Sequence, residues 1–145
     1  MRAAARFDLK HWLFLLLLAG ALAQAETRWL TIAGDPEDPA VHTVEVDPAQ
    51  LRGDSQTRLL HIRVNLPRPA QQLAPTPYRS FEATIRLDCT SNTAQYDALL
   101  LYAQPDWKGE PLKAVSPDDE ALRTVRFPDA DPDPTPRIIK AACLS

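Results

Sequence analysis

Between Phe81 and Cys89 the chain alternates without a break. Phe81, Ala83, Ile85, Leu87 and Cys89 interleave with Glu82, Thr84, Arg86 and Asp88. In an extended chain successive side chains point to opposite faces, so this spacing puts all the apolar groups on one side and all the polar ones on the other. A helix would scatter the same residues around its axis. The segment is therefore a strand of a sheet with one buried face. Leu60, Ile62, Val64 and Leu66 repeat the pattern against His61, Arg63 and Asn65, which supplies a second strand and an antiparallel neighbour for the first. The eleven residues between them run from Pro67-Arg68-Pro69 to Pro75-Thr76-Pro77. Proline has no amide hydrogen to donate, so this gap is expected to stay out of any ladder.

After Cys89, the polar Thr90-Ser91-Asn92 reads as a short turn, and β-prone sequence resumes from Thr93 to Gln104. Residues 79–104 then form a hairpin. Tyr96, Ala98, Leu100 and Tyr102 share one parity, while Leu99 and Leu101 take the other. Apolar groups on both sides predict a strand covered on both faces or lying mid-sheet. Shorter β-prone runs at 28–33 and 41–47 are separated by Gly34-Asp35-Pro36-Glu37-Asp38-Pro39, and a sixth is expected from Leu122 to Phe127. At the C-terminus, Ile138, Ile139, Ala142 and Cys143 fall at helical spacing behind Thr135-Pro136, a suitable helix start. The fold class is thus α+β, an antiparallel sheet of about six strands with one short C-terminal helix.

Arg2, Arg6 and Lys10 precede an apolar run from Trp12 to Ala23 that ends in Ala23-Gln24-Ala25. This is the layout of a secretory signal peptide with a small-x-small cleavage site. Residues 1–25 are accordingly expected to be removed, leaving one domain over 26–145 with no membrane span. The run of about 12 apolar residues is short against the roughly 20 that a bilayer core requires, and an uncleaved anchor is the alternative. The exported chain carries thirteen Lys and Arg against eighteen Asp and Glu. That acidic balance argues against nonspecific nucleic-acid binding.

Export also bears on Cys89 and Cys143, the two cysteines of the whole chain. In an oxidising compartment their simplest outcome is one disulfide. It would close a loop of about 54 residues, pin the terminal helix to the 79–89 strand, and stabilise the fold by roughly 4 kcal/mol in the chain-entropy estimate. The competing reading, a reactive thiol or metal pair, lacks a CxxC partner and a nearby histidine.

Catalytic signatures are sparse. Glycines at 20, 34, 53 and 109 are too dispersed for a phosphate-cradling loop. His42 and His61 fall in no catalytic spacing, so no histidine chemistry and no cofactor is implied. Asp129, Asp131 and Asp133 echo the start of a calcium loop. The echo stops there, because no glycine follows at the sixth position and Lys140 stands where a bidentate glutamate belongs. A solvated acidic connector is the plainer reading, and a hydrolytic enzyme remains an alternative without an acid–base constellation. Arg63, Arg86 and Arg126 lie on the outward parity of three expected strands. They would form an anion-binding face if those strands were neighbours, unless carboxylates such as Glu82 and Asp88 neutralise them first. Trp107, in a Pro105-Asp106-Trp107-Lys108-Gly109 turn, is either a contact residue or an indole folded back on the sheet edge.

One ordered series of residues ties these pieces together: Arg28-Trp29, Val46-Asp47-Pro48 with Leu51-Arg52, Tyr78-Arg79-Ser80, Leu87-Asp88-Cys89, Tyr102 with Pro105-Asp106-Trp107-Lys108-Gly109, and Ile138-Ile139-Lys140-Ala141-Ala142-Cys143. It resembles the surface-adhesin E family of Gram-negative bacteria over nearly all of residues 27–143. The resemblance implies a disulfide-joined sheet and helix and, in characterised relatives, adhesion to host matrix or serum proteins. The expectation is a noncatalytic exported binding module of the periplasm or outer-membrane surface. The alternative is a periplasmic structural or quality-control protein that contacts partners through exposed sheet edges.

Overall fold

A computed structural model describes residues 29–145, so the expected signal peptide lies outside the described residues. Six strands are joined in sequence order as an antiparallel meander: β1 (Leu30–Ala33), β2 (Thr43–Gly53), β3 (Thr57–Ala70), β4 (Tyr78–Asp88), β5 (Thr93–Tyr102) and β6 (Pro111–Val115). A single helical turn, α1 (Glu120–Arg123), and a longer helix, α2 (Thr135–Cys143), follow.

The period-two runs become the two middle strands. Leu60, Ile62 and Val64 of β3 lie opposite Ile85, Ala83 and Phe81 of β4, and all six are buried on one face. Val44 and Val46 of β2 extend this layer. Helix α2 lies on the same side, with Ile138, Ile139 and Ala142 buried against β3, β4 and β5. A nine-residue helix is marginal by itself in water. Apolar burial and the Cys89–Cys143 disulfide hold it, with the two Cα atoms 5.6 Å apart. The expected sheet, helix and staple are thus all present.

Three local expectations change. First, β3 continues through Pro67 and Pro69 to Ala70, which pairs with Tyr78, so part of the proline-rich gap joins the ladder. This is permitted because β2 leaves β3 at the Thr43–Asn65 pair, and no strand on that side requires the missing amides. Second, the middle positions belong to β3 and β4 rather than to β5, which has only β6 beyond it. The mixed apolar pattern of β5 has another cause: the register shifts between Thr84–Ala98 and Ile85–Tyr96, leaving Asp97 as an extra residue. That bulge reverses parity and sends Tyr96 into the core with Leu99 and Leu101. There it stands edge-on to Phe81 at 5.9 Å between ring centroids.

Third, the sixth strand is Pro111–Val115 rather than Leu122–Phe127. Asp119 caps α1 by accepting hydrogen bonds from the amides of Ala121 and Leu122, which winds the start of the expected strand into a turn. Only a single bridge, Gln95 to Thr124, and the amide of Val125 donating to the Ala94 carbonyl keep the later residues beside β5. The β2–β3 turn is reversed at Gly53, whose φ of +115° is open to glycine and where a Cβ would strike the Thr57 carbonyl oxygen.

Candidate functional site on the open face

The sheet face opposite α2 carries no α-helix among the described residues, only the short 3-10 turn Pro105–Trp107 packed against β3 and β4. Across it a row of directly opposed residues traverses all six strands: Thr31, Glu45, Arg63, Glu82, Leu100 and Ala114. Arg63 is the centre of the row. Its Nε donates to Glu45 Oε2 at 2.7 Å, and the Glu45 side chain is only 4% exposed. The guanidinium carbon lies 4.4 Å from the ring centroid of Trp29 and 4.1 Å from that of Trp107. Two indoles therefore hold one cation between them, each contact contributing about 0.5–2 kcal/mol, toward the higher end as water is excluded. The Trp29 ring also packs on His61 at 5.2 Å.

Trp107 reaches this position through the turn after β5. Buried Asn65 and Ser80 are opposed on β3 and β4. Asn65 Oδ1 accepts from the Asp106 amide at 3.1 Å, and Ser80 Oγ accepts from the Trp107 amide at 3.0 Å and donates to the Gln104 carbonyl at 2.7 Å. These bonds fix Asp106 and Trp107 in the left-handed region, each with φ of 57°. The indole Nε1 then donates to the Phe81 carbonyl at 2.9 Å. The ring is half-buried, folded back over the sheet and still reachable from solvent.

The other expected site residues lie apart from this stack. Arg86 shares the open face and is exposed, with its guanidinium 2.6 Å from Asp97, the bulge residue. Arg126 lies on the side of the sheet that α2 covers, exposed in the segment after α1. The structure brings Arg63 and Trp107 together, keeps Arg86 on the same face with a carboxylate of its own, and puts Arg126 on the far side. Trp29, Glu45, Asn65 and Ser80 complete the site, although none was expected to belong to it. Trp29 and Ser80 stood in the ordered series that carries the family resemblance, and Glu45, Asn65 and Ser80 fall at polar positions of their strands.

Of the acidic connector, Asp129 pairs with Arg68 at 3.3 Å, and Asp133 accepts from the amide and hydroxyl of Thr135 at the start of α2. Among the described residues no three His, Cys, Asp or Glu side chains gather as a metal site, and no helix is long and apolar enough to cross a membrane.

Fold and face together define a disulfide-stapled, six-stranded sheet with one helix-covered side and one open side bearing an arginine held between tryptophans. Residues 29–144 match the family described as surface-adhesin protein E, and the chain belongs to that family. No curated protein matches the chain, and neither does any solved structure. Membership points to a surface-binding, noncatalytic role and to a surface or exported protein.

Proposed function

We propose that this chain is an exported, noncatalytic binding module of the bacterial envelope that captures a protein partner, in the first instance a host matrix or serum protein, on the open face of its sheet. The observation that carries this reading is the Trp29–Arg63–Trp107 stack. Tryptophan and arginine are the residue types that dominate binding energy at protein interfaces, above all when rigid and partly dry. Here both indoles are half-buried and the cation is ordered before any partner arrives, which lowers the entropy cost of association. Charge favours a protein over a simple polyanion, because Glu45 and Asp97 already engage Arg63 and Arg86 and Glu82 stands beside Arg63. The reading includes removal of residues 1–25 and a single mature domain over 26–145, with Cys89–Cys143 forming in the oxidising compartment that export provides.

The test is solid-phase binding of the mature, disulfide-bonded protein to a panel of matrix and serum proteins. Trp29→Ala and the exposed Lys108→Glu next to the stack are expected to weaken the responding interaction at least tenfold while leaving far-ultraviolet circular dichroism and the urea midpoint close to those of the parent. No binding across the panel, or binding indifferent to both variants, overturns the reading.

A second reading, a periplasmic structural or quality-control protein, draws on the β6 edge, where Pro111 to Ala114 are exposed and no further strand follows. Pro111 and Lys113 on that edge are the residue types that discourage strand addition, which ranks this reading second. Protease cleavage of the tagged protein on intact cells supports the first reading. Protection until the outer membrane is opened supports the second.

A further inference from the structure

Between the β3–β4 end of the sheet and the segment that follows α1 lies a cavity of about 390 Å³ on the α2 side, across the sheet from the tryptophan stack. Its inner wall is apolar, built from buried Val64, Phe81, Tyr96 and Phe127 with half-buried Leu73. Its rim is exposed and carries Arg68, Arg126 and Asp129. The volume is within the range of about 300–1,000 Å³ typical of small-molecule sites, and polar side chains, Gln72, Tyr78 and Thr124 among them, share the lining with the apolar wall.

Three observations specify the chemistry. His42 borders the cavity, is only 8% exposed, and neither ring nitrogen has a hydrogen-bond partner among the described residues. A buried polar group left unpaired costs about 1–3 kcal/mol; both nitrogens are sealed from the cavity, so an oxygen-bearing ligand relieves that penalty only when the imidazole turns toward it. The imidazole stands edge-on to Phe127 at 6.1 Å, so it lies at the same end as Arg126 and Asp129. That rim carries two arginines, Arg68 and Arg126, and one carboxylate, Asp129. Arg126 makes no ion pair among the described residues, and the Arg68–Asp129 pair, at 3.3 Å and well exposed, is weak enough to open for a competing anion.

We propose that this cavity is a binding site for a small amphipathic carboxylate. The apolar body would lie along Val64, Leu73, Phe81 and Tyr96, and the carboxylate would be held at the His42 end by Arg126 and Arg68. Guanidinium and carboxylate match as a planar, doubly hydrogen-bonded pair. The proposal is independent of the open-face reading, since the two sites share only Phe81, whose carbonyl holds the Trp107 indole while its ring faces the cavity.

Isothermal titration of the mature, disulfide-bonded protein with decanoate, below its micelle-forming range, tests it. Saturable binding is expected, with decanol at least tenfold weaker because it lacks the charge. Arg126→Ala and Arg68→Ala, both at exposed positions, are expected to weaken decanoate at least tenfold when combined. Leu73→Trp, which fills the cavity from its rim, is expected to abolish binding. The ¹⁵N resonances of the His42 ring are expected to shift on titration. Vesicles of phosphatidylglycerol, an anionic lipid surface, are not expected to retain the protein. The proposal is overturned by absence of saturable decanoate binding up to millimolar concentration, by equal affinity for decanol, or by binding that survives the double arginine variant or Leu73→Trp. Retention on vesicles with no response to free decanoate also overturns it, in favour of a membrane surface.

Discussion

Glu45 is a carboxylate at an almost sealed position, and Arg63 is what makes that position tolerable. Removing the cation leaves the buried charge without its 2.7 Å partner and separates two indoles from the group they enclose. Arg63→Leu is therefore expected to destabilise the fold by about 1–3 kcal/mol, the smaller figures applying because the arginine keeps some solvent contact. Urea denaturation checks this. The Glu45→Gln, Arg63→Leu pair should cost less than the sum of its parts, since the neutral amide no longer needs a cation. His42 offers a second residue-scale prediction. Burial lowers its imidazole below the usual value near 6.5, against opposing pulls from Asp129 and Asp133. The folded chain thus binds fewer protons than the unfolded chain in the window beneath 6.5. The stability associated with neutral His42 is complete above about pH 6.5 and is lost as pH falls through the lowered folded value. Urea midpoints followed from pH 7.5 to pH 5 should decline, and His42→Phe should flatten that part of the profile.

At the scale of elements, α2 depends on its covalent tie. Nine residues cannot sustain a helix in water, and only three of its apolar side chains are buried. Replacing Cys89 and Cys143 together by serine is expected to cost about 2–4 kcal/mol, read from the urea midpoint, with faster amide exchange in α2 than elsewhere in the core. The strands differ in how visible they were beforehand. β3 and β4 announced themselves because burial of one face stamps period two directly on the residues. β6 did not: four of its five residues are exposed, so no burial pattern exists to be read. The apolar residues of 122–127 were misleading for the converse reason. Val125 and Phe127 are buried as expected, yet by packing from a loop rather than by pairing along a strand, and the Asp119 cap decides the backbone at its start. In β5 a single extra residue, Asp97, inverted the parity of Tyr96.

The whole molecule is a sheet with two unlike surfaces. One is covered by α2, the acidic connector and the disulfide, and the other is left open around an ordered aromatic–cationic stack. Its stability should be graded across the meander. Amide exchange followed by mass spectrometry is expected to be slowest in β3 and β4, which pair on both sides and lie under α2, and fastest in β1 and β6, which pair on one side only. Equal protection in β6 and β4 would contradict the strand order. The sequence by itself determined that a half-buried antiparallel sheet forms, which faces of β3 and β4 point inward, where the final helix starts, and that two cysteines were available to join them. Each of these follows from local periodicity, which burial imposes on neighbouring residues within one element. Only the tertiary structure decided which segment closes the far edge of the sheet, how the Asp97 bulge resets the register, and that Trp29, Arg63 and Trp107 meet. Those outcomes depend on register across strands and on Asn65 and Ser80 gripping a turn 41 and 27 residues further along the chain. Contacts of that kind leave no period in the sequence, because the residues that make them are chosen by three-dimensional proximity alone.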